Sequence, residues 1–417
     1  MPAPTIGHVP EHLPDRLVIT LWDFSWYTQA GPGQPYADLG EAFREARDRG
    51  CNAVRICAAP LHLFFEEELG SDLLVSGFGP RPGGRYFGDG TRWYDVRGGS
   101  PVSLRARLLE LFTEAERHGF VVILSSWEYQ QSPSFSSDDR WWRTIDAVPL
   151  RQRMDALADA TIDLLGFLDA NGFMDQVAFV ELHNEVDFSR VDGDAAAVER
   201  AVARVTDACP GLPVTVSYGK PPHLDMESLP RGLGVGQFHI YAYGVLNALQ
   251  ERIDIRSTGI EGFPNRMLRG LLRDDAPSWE DYGRPDPWRL EATVVTDQML
   301  YGYDSLDPDR FDLWLYERYA LFREQMLGEI HARVTATAAW GRRRDVPVVF
   351  GEGWVGYTPL LSRFEDGPVG KDLAEAGLGR AAELGAWGAV TTSNAAPHHP
   401  MWADVAWQRR AAAIFAG

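Results

Sequence analysis

Carboxyl-bearing side chains fall at the ends of two apolar runs in this sequence. The first run closes with ELHNE (residues 181–185), and the second closes with Glu352 in the segment VVFGEGW. Because side chains alternate between the two faces of a strand, we expect Glu181, His183 and Glu185 to share one face. Two carboxyl groups held close together can perform acid–base and nucleophilic catalysis. Both segments are therefore candidate catalytic positions.

Other apolar runs also carry polar groups near their ends. The same alternation predicts three further sets that each share one strand face: Ala53, Arg55 and Cys57; Gln237, His239 and Tyr241; Val348, Phe350 and Glu352. The interior of a barrel is filled mainly by branched apolar side chains, so polar groups there need partners or a purpose. We expect the polar ends of four strands to converge at one site.

The runs that carry these groups belong to an alternation of short apolar segments with longer amphipathic ones. Predicted strands cover residues 16–24, 52–58, 120–128, 176–185, 212–219, 233–243, 346–353 and 385–394. Predicted helices cover residues 36–50, 103–119, 151–172, 194–211, 309–334 and 371–385. The pattern indicates an α/β fold, a parallel sheet covered by helices. Eight such units predict a closed (β/α)8 TIM barrel, with an open doubly wound sheet as the alternative.

Two connections are longer than ordinary loops of a barrel. Residues 59–102 follow the second predicted strand, and residues 244–308 follow the sixth. In a barrel both would rise from the face where the strands end, which is where active sites lie. Long ordered loops are usually functional. We therefore predict one catalytic domain over residues 1–417, with these two segments as insertions on its active-site face.

Residues 181–185 resemble the ExxNE motif that ends the fourth strand of clan A glycoside hydrolases, the cellulase-like superfamily. The resemblance implies that Glu185 is the catalytic acid/base and that Asn184 holds the 2-hydroxyl of the sugar. A second Glu ends the seventh strand in that clan as the nucleophile, and Glu352 matches it. The expected fold is again the (β/α)8 barrel.

Three further residues match the clan at the ends of the corresponding strands. Arg55 matches an Arg on the second strand, and His239 and Tyr241 match a His-x-Tyr motif on the sixth. The resemblance implies that Tyr241 donates a hydrogen bond to the nucleophile. It extends in order from residue 16 to about residue 394. Glu181 lies deeper in its strand, and we expect it to pair with Arg55 instead of taking part in chemistry.

The activity that this resemblance implies is the retaining hydrolysis of β-linked glycosides or short oligosaccharides, by double displacement through a glycosyl-enzyme. Retention requires two carboxyl groups about 5–5.5 Å apart, one protonated and one charged. The charge of Arg55 and the hydroxyl of Tyr241 would favour the charged form of Glu352. No cofactor and no metal ion are expected.

Aromatic and polar residues near the predicted strand ends are candidates for binding sugar. Aromatic faces bind the apolar faces of pyranose rings, and the sequence contains 14 Trp. The candidates are Trp22, Trp26, Trp127 and Trp354 as platforms, and Glu128 and Asn394 as polar contacts, with Asp23 as a further polar candidate. The clan commonly ends its eighth strand with a Trp. The corresponding segment here reads TTSNAAPHHPMW, with Thr391, Asn394 and His398 instead.

Three other functions remain as alternatives. A metal-dependent amidohydrolase would need His-x-His after the first strand, which instead reads WDFSW. A Schiff-base aldolase would use Lys220, which follows the fifth predicted strand. A carbohydrate-binding barrel without activity would keep the sugar site but cleave nothing. The two Glu residues favour catalysis over this last alternative.

The formal net charge of −19 opposes binding to nucleic acid and to anionic membranes, so a neutral carbohydrate is the expected partner. Three cysteines form no disulfide framework, and the N-terminus shows no signal peptide. We therefore expect a cytoplasmic location, with a secreted mature form as the alternative. No window is apolar enough to span a bilayer. The sequence leaves the oligomeric state open.

Overall fold

A computed structural model describes residues 3–356 and 358–417 of the chain. Its centre is a parallel sheet of nine strands in the order β7-β6-β5-β2-β1-β11-β10-β9-β8. A separate antiparallel hairpin is formed by β3 and β4. The strands are β1 (Leu17–Asp23), β2 (Ala53–Cys57), β3 (Asp72–Val75), β4 (Ser100–Ser103), β5 (Val121–Ser125), β6 (Val177–Glu181), β7 (Val214–Thr215), β8 (Ser217–Tyr218), β9 (Gly236–Ala242), β10 (Val348–Val355) and β11 (Gly388–Val390).

The sheet closes on itself through the fifth predicted strand. β7 and β8 stand at the two ends of the strand order but are separated in the chain by Val216 alone. Segment 214–218 therefore pairs with β6 on one side and with β9 on the other. All eight predicted barrel strands are present, and the closed barrel is confirmed over the open sheet.

Helices surround this barrel and also occur within its long connections. They are α1 (Ser25–Thr28), α2 (Leu39–Asp48), α3 (Pro60–Phe64), α4 (Leu104–His118), α5 (Arg140–Asp146), α6 (Arg153–Ala170), α7 (Ala195–Ala208), α8 (Gly244–Arg252), α9 (Arg266–Arg269), α10 (Pro287–Glu291), α11 (Asp297–Ser305), α12 (Pro308–Arg344), α13 (Arg363–Asp366), α14 (Pro368–Leu384) and α15 (Val405–Ala416). α4 shows why such segments are helical. It buries Leu104, Leu108 and Leu111 at a spacing of three or four residues and ends at Gly119, whose φ of +71° suits glycine.

One prediction about a strand face is wrong. Phe350 pairs with Phe238, which packs against Trp340 of α12 and so lies on the helix side of the sheet. Glu352 pairs with His239 on the barrel side, because the register shifts between Phe350 and Glu352. The extra residue of this bulge is Gly351. Phe350 and Glu352 therefore lie on opposite faces, although they are two residues apart.

The two long connections contain secondary structure of their own. Residues 59–102 hold α3 and the β3–β4 hairpin, and residues 244–308 hold α8 to α11. The two segments contact each other through Asp304, whose carboxylate accepts hydrogen bonds from the backbone N–H groups of Gly88 and Gly90 at 2.8 Å. The Tyr282 hydroxyl donates to the same carboxylate at 2.6 Å. That residues 1–417 form one domain remains a prediction.

The long helix α12 is not a membrane span. Across residues 3–356 and 358–417, no helix combines the length and the apolar character needed to cross a bilayer.

Candidate active site

Two carboxylates meet at the end of the barrel where the strands finish. Glu352 lies on β10, and Glu185 follows β6 by four residues with a φ of +45°. The Nδ1 atom of His239, on β9, lies 2.8 Å from Glu185 Oε1 and 3.7 Å from Glu352 Oε1. One ligand-type atom from each of the three residues lies within 4.8 Å of the other two. The structure thus brings the two predicted catalytic residues together.

A fully buried arginine organises the floor of this site. Arg55 donates through Nε and Nη2 to both oxygens of Glu181, at 2.8 and 2.7 Å, and through Nη1 to Glu352 Oε1 at 2.9 Å. Nη2 also donates to Asn184 Oδ1 at 2.5 Å. The Asn184 amide nitrogen donates in turn to Gln130 Oε1 at 2.6 Å. Glu181 is therefore a structural partner of Arg55.

Glu352 is surrounded by groups that favour its charged form. The Tyr241 hydroxyl donates to Glu352 Oε2 at 2.6 Å. Burial alone would raise the pKa of Glu352, but the charges of His239 and Arg55 and this hydrogen bond outweigh burial and lower that pKa below its ordinary value. Burial, together with the negative charge of Glu352, raises the pKa of Tyr241 well above its ordinary value, so its hydroxyl keeps the proton that it donates.

Glu185 has a different set of partners. Its Oε2 accepts from Gln130 Nε2 at 2.9 Å, and its backbone N–H donates to Ser217 Oγ at 2.8 Å. Burial lowers the pKa of His239, but the charge of Glu352 and the hydrogen bond with Glu185 outweigh it and raise that pKa. His239 Nδ1 therefore lies between the two carboxyl groups.

A cavity of about 610 Å³ opens above these groups. Strand ends contribute its floor, and both long connections contribute its walls. Its lining includes Asp23, Trp93, Tyr94, Trp127, Gln130, Asn184, Glu185, Phe188, Gly219, Lys220, Tyr241, Tyr243, Val294, Val295 and Glu352. Lys220, the candidate for a Schiff base, is exposed at the cavity rim.

Of the four predicted tryptophan platforms, only Trp127 lines the cavity. The Arg55 guanidinium lies 4.5 Å from the centre of its ring. Trp22 packs instead against Phe43 of α2, with ring centres 4.5 Å apart. Trp354 lies against Gly377 of α14, where an added Cβ would come within 2.3 Å of the indole. These two rings are on the helix side of the barrel, so the prediction that they bind sugar is wrong.

Trp26 is also buried away from the cavity. Its indole N–H donates to the backbone carbonyl of Cys57 at 3.0 Å, which fixes α1 to the end of β2. The prediction of a sugar platform is therefore wrong for Trp26 too.

Glu128 and Asn394 were predicted to contact sugar, and the structure places both in the protein interior. The Glu128 carboxylate accepts from the backbone N–H groups of Leu61 and His62 at the start of α3, at 3.0 and 2.7 Å. Asn394 donates to Asp366 at 3.2 Å. Because neither residue lines the cavity and both are bonded inside the fold, they are structural residues.

Several cavity residues were missed by the sequence reasoning: Trp93, Tyr94, Gln130, Phe188 and Tyr243. Gln130 lies two residues beyond Glu128, and Tyr243 lies two beyond Tyr241. Extending the strand-end search by two residues would have found both. Trp93 and Tyr94 lie deep within the 59–102 connection, where strand periodicity gives no signal.

Glu185, His239 and Glu352 could each offer one atom to a metal ion. Glu352 Oε1 already accepts from Arg55, however, so a cation there would face a buried guanidinium 2.9 Å from its ligand atom. Like charges at such a distance repel strongly in a desolvated site. The arrangement suits carboxylate chemistry better than metal binding.

Comparisons with known proteins identify a family and a similar fold. A family model described as sugar-binding cellulase-like matches residues 19–191 and 272–415. A candidate glycoside hydrolase from Parabacteroides distasonis has a similar structure, with a TM-score of 0.63 at 20% identity, covering 96% of this chain and 93% of that one. A comparison with curated proteins found no match.

Two more distant structures are also similar. A family 5 glycoside hydrolase mannosidase from Rhizomucor miehei has a TM-score of 0.46 at 10% identity, covering 96% of this chain and 92% of that one. An endo-1,4-β-D-mannanase from Thermotoga petrophila has a TM-score of 0.45 at 12% identity, covering 90% and 87%. The family match spans most of the chain, and the chain belongs to the sugar-binding cellulase-like family.

Proposed function

We propose that this protein is a retaining glycoside hydrolase that cleaves β-linked glycosides or short oligosaccharides by double displacement. The observation that carries the proposal is the meeting of Glu185 and Glu352 around His239, with atoms of all three within 4.8 Å. Retaining enzymes place their two carboxyl groups about 5–5.5 Å apart, whereas inverting enzymes need about 6.5–9.5 Å to admit a water molecule. The shorter spacing supports retention.

In the first step the charged carboxylate of Glu352 attacks the anomeric carbon, while Glu185 gives its proton to the departing glycosidic oxygen. The bond from carbon to the leaving oxygen breaks as the bond from carbon to Glu352 forms. In the second step Glu185 takes a proton from water, and the resulting hydroxide displaces Glu352 from the same carbon. Both carboxyl groups return to their starting states.

The surroundings of Glu352 support its role as nucleophile. Arg55 and Tyr241 donate to its two oxygens, so the carboxylate is held charged and fixed in orientation. Asn184 lies beside Glu185 at the cavity and is the proposed partner of the sugar 2-hydroxyl. Trp127 is the proposed aromatic platform because it alone of the predicted platforms faces the cavity.

The size and the walls of the cavity support a short substrate. Pockets of about 300–1,000 Å³ are typical of small-molecule sites, and this one is about 610 Å³. Trp93 from the first long connection and Val294 from the second both line it. We propose action from the end of a chain on short oligosaccharides or aryl glycosides. Early release of mixed oligomers from a long polymer would contradict this.

The experiment that tests the nucleophile is Glu352→Ala, assayed on a panel of nitrophenyl glycosides with and without azide. We expect the variant to lose roughly 10⁴-fold or more in kcat. Azide, which is small enough to enter the vacated space, should restore turnover and give a glycosyl azide of inverted configuration. The matched control is Glu365→Ala, which removes another buried, arginine-paired carboxyl group that does not line the cavity.

Wild-type protein that cleaves the panel while Glu352→Ala retains its rate would contradict this assignment of the nucleophile. Folded wild-type protein that binds these sugars without cleaving any of them would indicate a carbohydrate-binding barrel without activity.

The acid/base role is tested by Glu185→Gln with two leaving groups. A leaving group that needs no protonation, such as dinitrophenolate, should depart nearly as fast from the variant as from wild type in the first step. An alkyl glycoside needs the proton and should lose about 10²- to 10⁴-fold in rate. Pre-steady-state release of the phenolate separates the first step from the second. Equal losses for both substrates would rule out Glu185 as the acid.

A further inference from the structure

Asp23, the last residue of β1, lines the cavity and has one carboxylate oxygen that accepts no hydrogen bond from the described part of the chain. Its Oδ1 accepts from the backbone N–H of Ser25 at 2.5 Å. Its Oδ2 is buried and has no hydrogen-bond partner among residues 3–356 and 358–417. The side chain lines the cavity and is 2% exposed. A buried carboxylate oxygen without a partner costs free energy, so this one needs a ligand or another purpose.

The backbone of Asp23 is also unusual. Its φ is +42°, in the left-handed region that residues other than glycine seldom adopt. Glu185 is another residue at a barrel strand end with such a backbone, at +45°. Strained conformations of this kind tend to occur at functional sites. Leu21 and Asp23, two residues apart on β1, both line the cavity.

His398 is within ion-pair range of Asp23 but does not form a hydrogen bond with its Oδ2. His398 Nε2 lies 3.7 Å from Asp23 Oδ2, which is too far for a hydrogen bond. His398 Nδ1 lies 2.7 Å from the hydroxyl of Tyr36. Asp23 Oδ2 therefore keeps lone pairs that no hydrogen bond within residues 3–356 and 358–417 occupies, in a side chain that lines the cavity.

The topology assigns Asp23 to one side of the reacting bond. Around the barrel, β1 lies opposite segment 214–218, four strands away in either direction. Gly219, which follows that segment, abuts the catalytic acid, because an added Cβ there would lie 2.6 Å from Glu185 Oε1. The leaving group accepts its proton from Glu185 and so departs toward Gly219 and Phe188. Asp23, with Trp93 and Tyr94, therefore faces the sugar that is transferred to Glu352.

We propose that Asp23 binds a hydroxyl group of the transferred sugar and selects neutral sugars at that position. A carboxylate is purely an acceptor, so it recognises a hydroxyl that donates. It repels the carboxylate of a uronic acid or the sulfate of a sulfated sugar in the same place. The proposal rests on the proposed function for the direction of the substrate, but the binding that it describes does not require cleavage.

The test measures binding in a Glu352→Gln background, so that turnover does not consume the sugar. The probes are β-1,4-linked glucose and mannose trisaccharides, monodeoxy derivatives of the tighter binder at its non-reducing sugar, and the matching uronic acid. Two variants change Asp23. Asp23→Asn keeps the shape but removes the charge, and Asp23→Gly removes the side chain in a residue that tolerates a positive φ. The matched control is Asp345→Asn, an exposed aspartate with φ +54° far along the chain at the end of α12.

We expect Asp23→Gly to weaken binding of the neutral trisaccharide by about 10- to 100-fold, the usual range for a hydrogen bond to a charged group. The parent should bind one monodeoxy derivative more weakly than the trisaccharide, by the same factor. Asp23→Gly should bind this derivative and the trisaccharide equally well. Asp23→Asn should bind the uronic acid more tightly than the parent does, and Asp345→Asn should change neither affinity.

Unchanged affinity in Asp23→Gly, or deoxy effects that simply add to the effect of the variant, would overturn the proposal. The absence of saturable binding by the parent to every probe would overturn it as well. If the deoxy coupling appears but wild-type protein cleaves no glycoside, the Asp23 site stands and the proposed hydrolase activity fails.

Discussion

Two fully buried arginines in this molecule each hold a pair of carboxylates, and the surroundings of the two pairs differ. Arg55 contacts Glu181 and Glu352 beneath the cavity, at 2.7 and 2.9 Å. Arg92 contacts Glu365 and Asp366, at 3.2 and 3.1 Å, and also donates to the backbone carbonyl of Ser362. The first arginine comes from a barrel strand, whereas the second comes from the connection 59–102.

The pKa values of the two glutamates move in opposite directions. Burial raises the pKa of Glu365 to about 7, and the adjacent negative charge of Asp366 adds to the rise, although Arg92 opposes it. Glu352 is also buried, but His239, Arg55 and Tyr241 together lower its pKa. The number and charge of the donors around each carboxylate decide the sign, because burial by itself acts the same way on both.

This difference separates a reactive group from a structural one. Glu352 is charged and lies at the cavity, where it can reach a substrate. Glu365 lies outside the cavity and, with Arg92, ties the first long connection to the segment that follows β10. A buried arginine–carboxylate pair is therefore weak evidence for an active site. Access to a cavity and an excess of donors around one carboxylate are stronger evidence.

The larger effect that would test this comparison is the pH dependence of stability in Glu365→Gln. In wild-type protein the folded state keeps a proton on Glu365 up to a pKa of about 7, whereas the unfolded chain loses it near the ordinary value of about 4.3. The unfolded state is therefore favoured increasingly as pH rises between these two values, and the free energy of unfolding falls by up to about 4 kcal/mol. Glutamine carries no such proton.

Urea unfolding at several pH values between 4 and 8 measures the difference. The free energy of unfolding of Glu365→Gln minus that of wild type should increase through this range and level off above pH 7. Glu324→Gln, at an exposed position of α12, is the matched control and should give a constant difference. A constant difference for Glu365→Gln as well would mean that Arg92 keeps Glu365 charged, and the contrast with Glu352 would disappear.

The position of a residue relative to the strands decides whether it could be predicted from the sequence. Arg55, Glu185, His239 and Glu352 could be found because each lies at a strand end, and strand ends follow from alternating apolar runs. The prediction that Phe350 shares the face of Glu352 failed because a bulge at Gly351 adds one residue to β10. Hydrophobic periodicity contains no signal for a single inserted residue.

The tryptophan predictions failed for a related reason. A tryptophan near a strand end can turn toward the helices or toward the cavity, and both environments are apolar. Trp22 and Trp354 turned toward helices, while Trp93 entered the cavity from a long connection without regular periodicity. Asp304, which links the two long connections, depends on contacts more than 200 residues apart in the chain. Such contacts follow from the closed barrel and not from local sequence.

The smaller expected effect concerns the hydrogen bond that Tyr241 donates to Glu352, which is one of the interactions that lower the pKa of Glu352. Tyr241→Phe removes the hydroxyl that donates to Glu352 Oε2, and the charged form of Glu352 loses that support. The pKa of Glu352 should rise, so the acidic limb of the kcat/KM profile moves to higher pH. At the optimum the rate should fall by about 10- to 100-fold.

Measurement of the full pH profile distinguishes this effect from a general loss of packing, which would lower the rate without moving the limb. Tyr282→Phe removes another buried hydroxyl that donates to a carboxylate, that of Asp304, and the acidic limb should stay in place. An unmoved limb in Tyr241→Phe would show that His239 and Arg55 alone keep Glu352 charged. The two buried glutamates would then differ through their charged neighbours alone. Glu352 has two cations, His239 and Arg55, whereas Glu365 has one cation, Arg92, and one anion, Asp366.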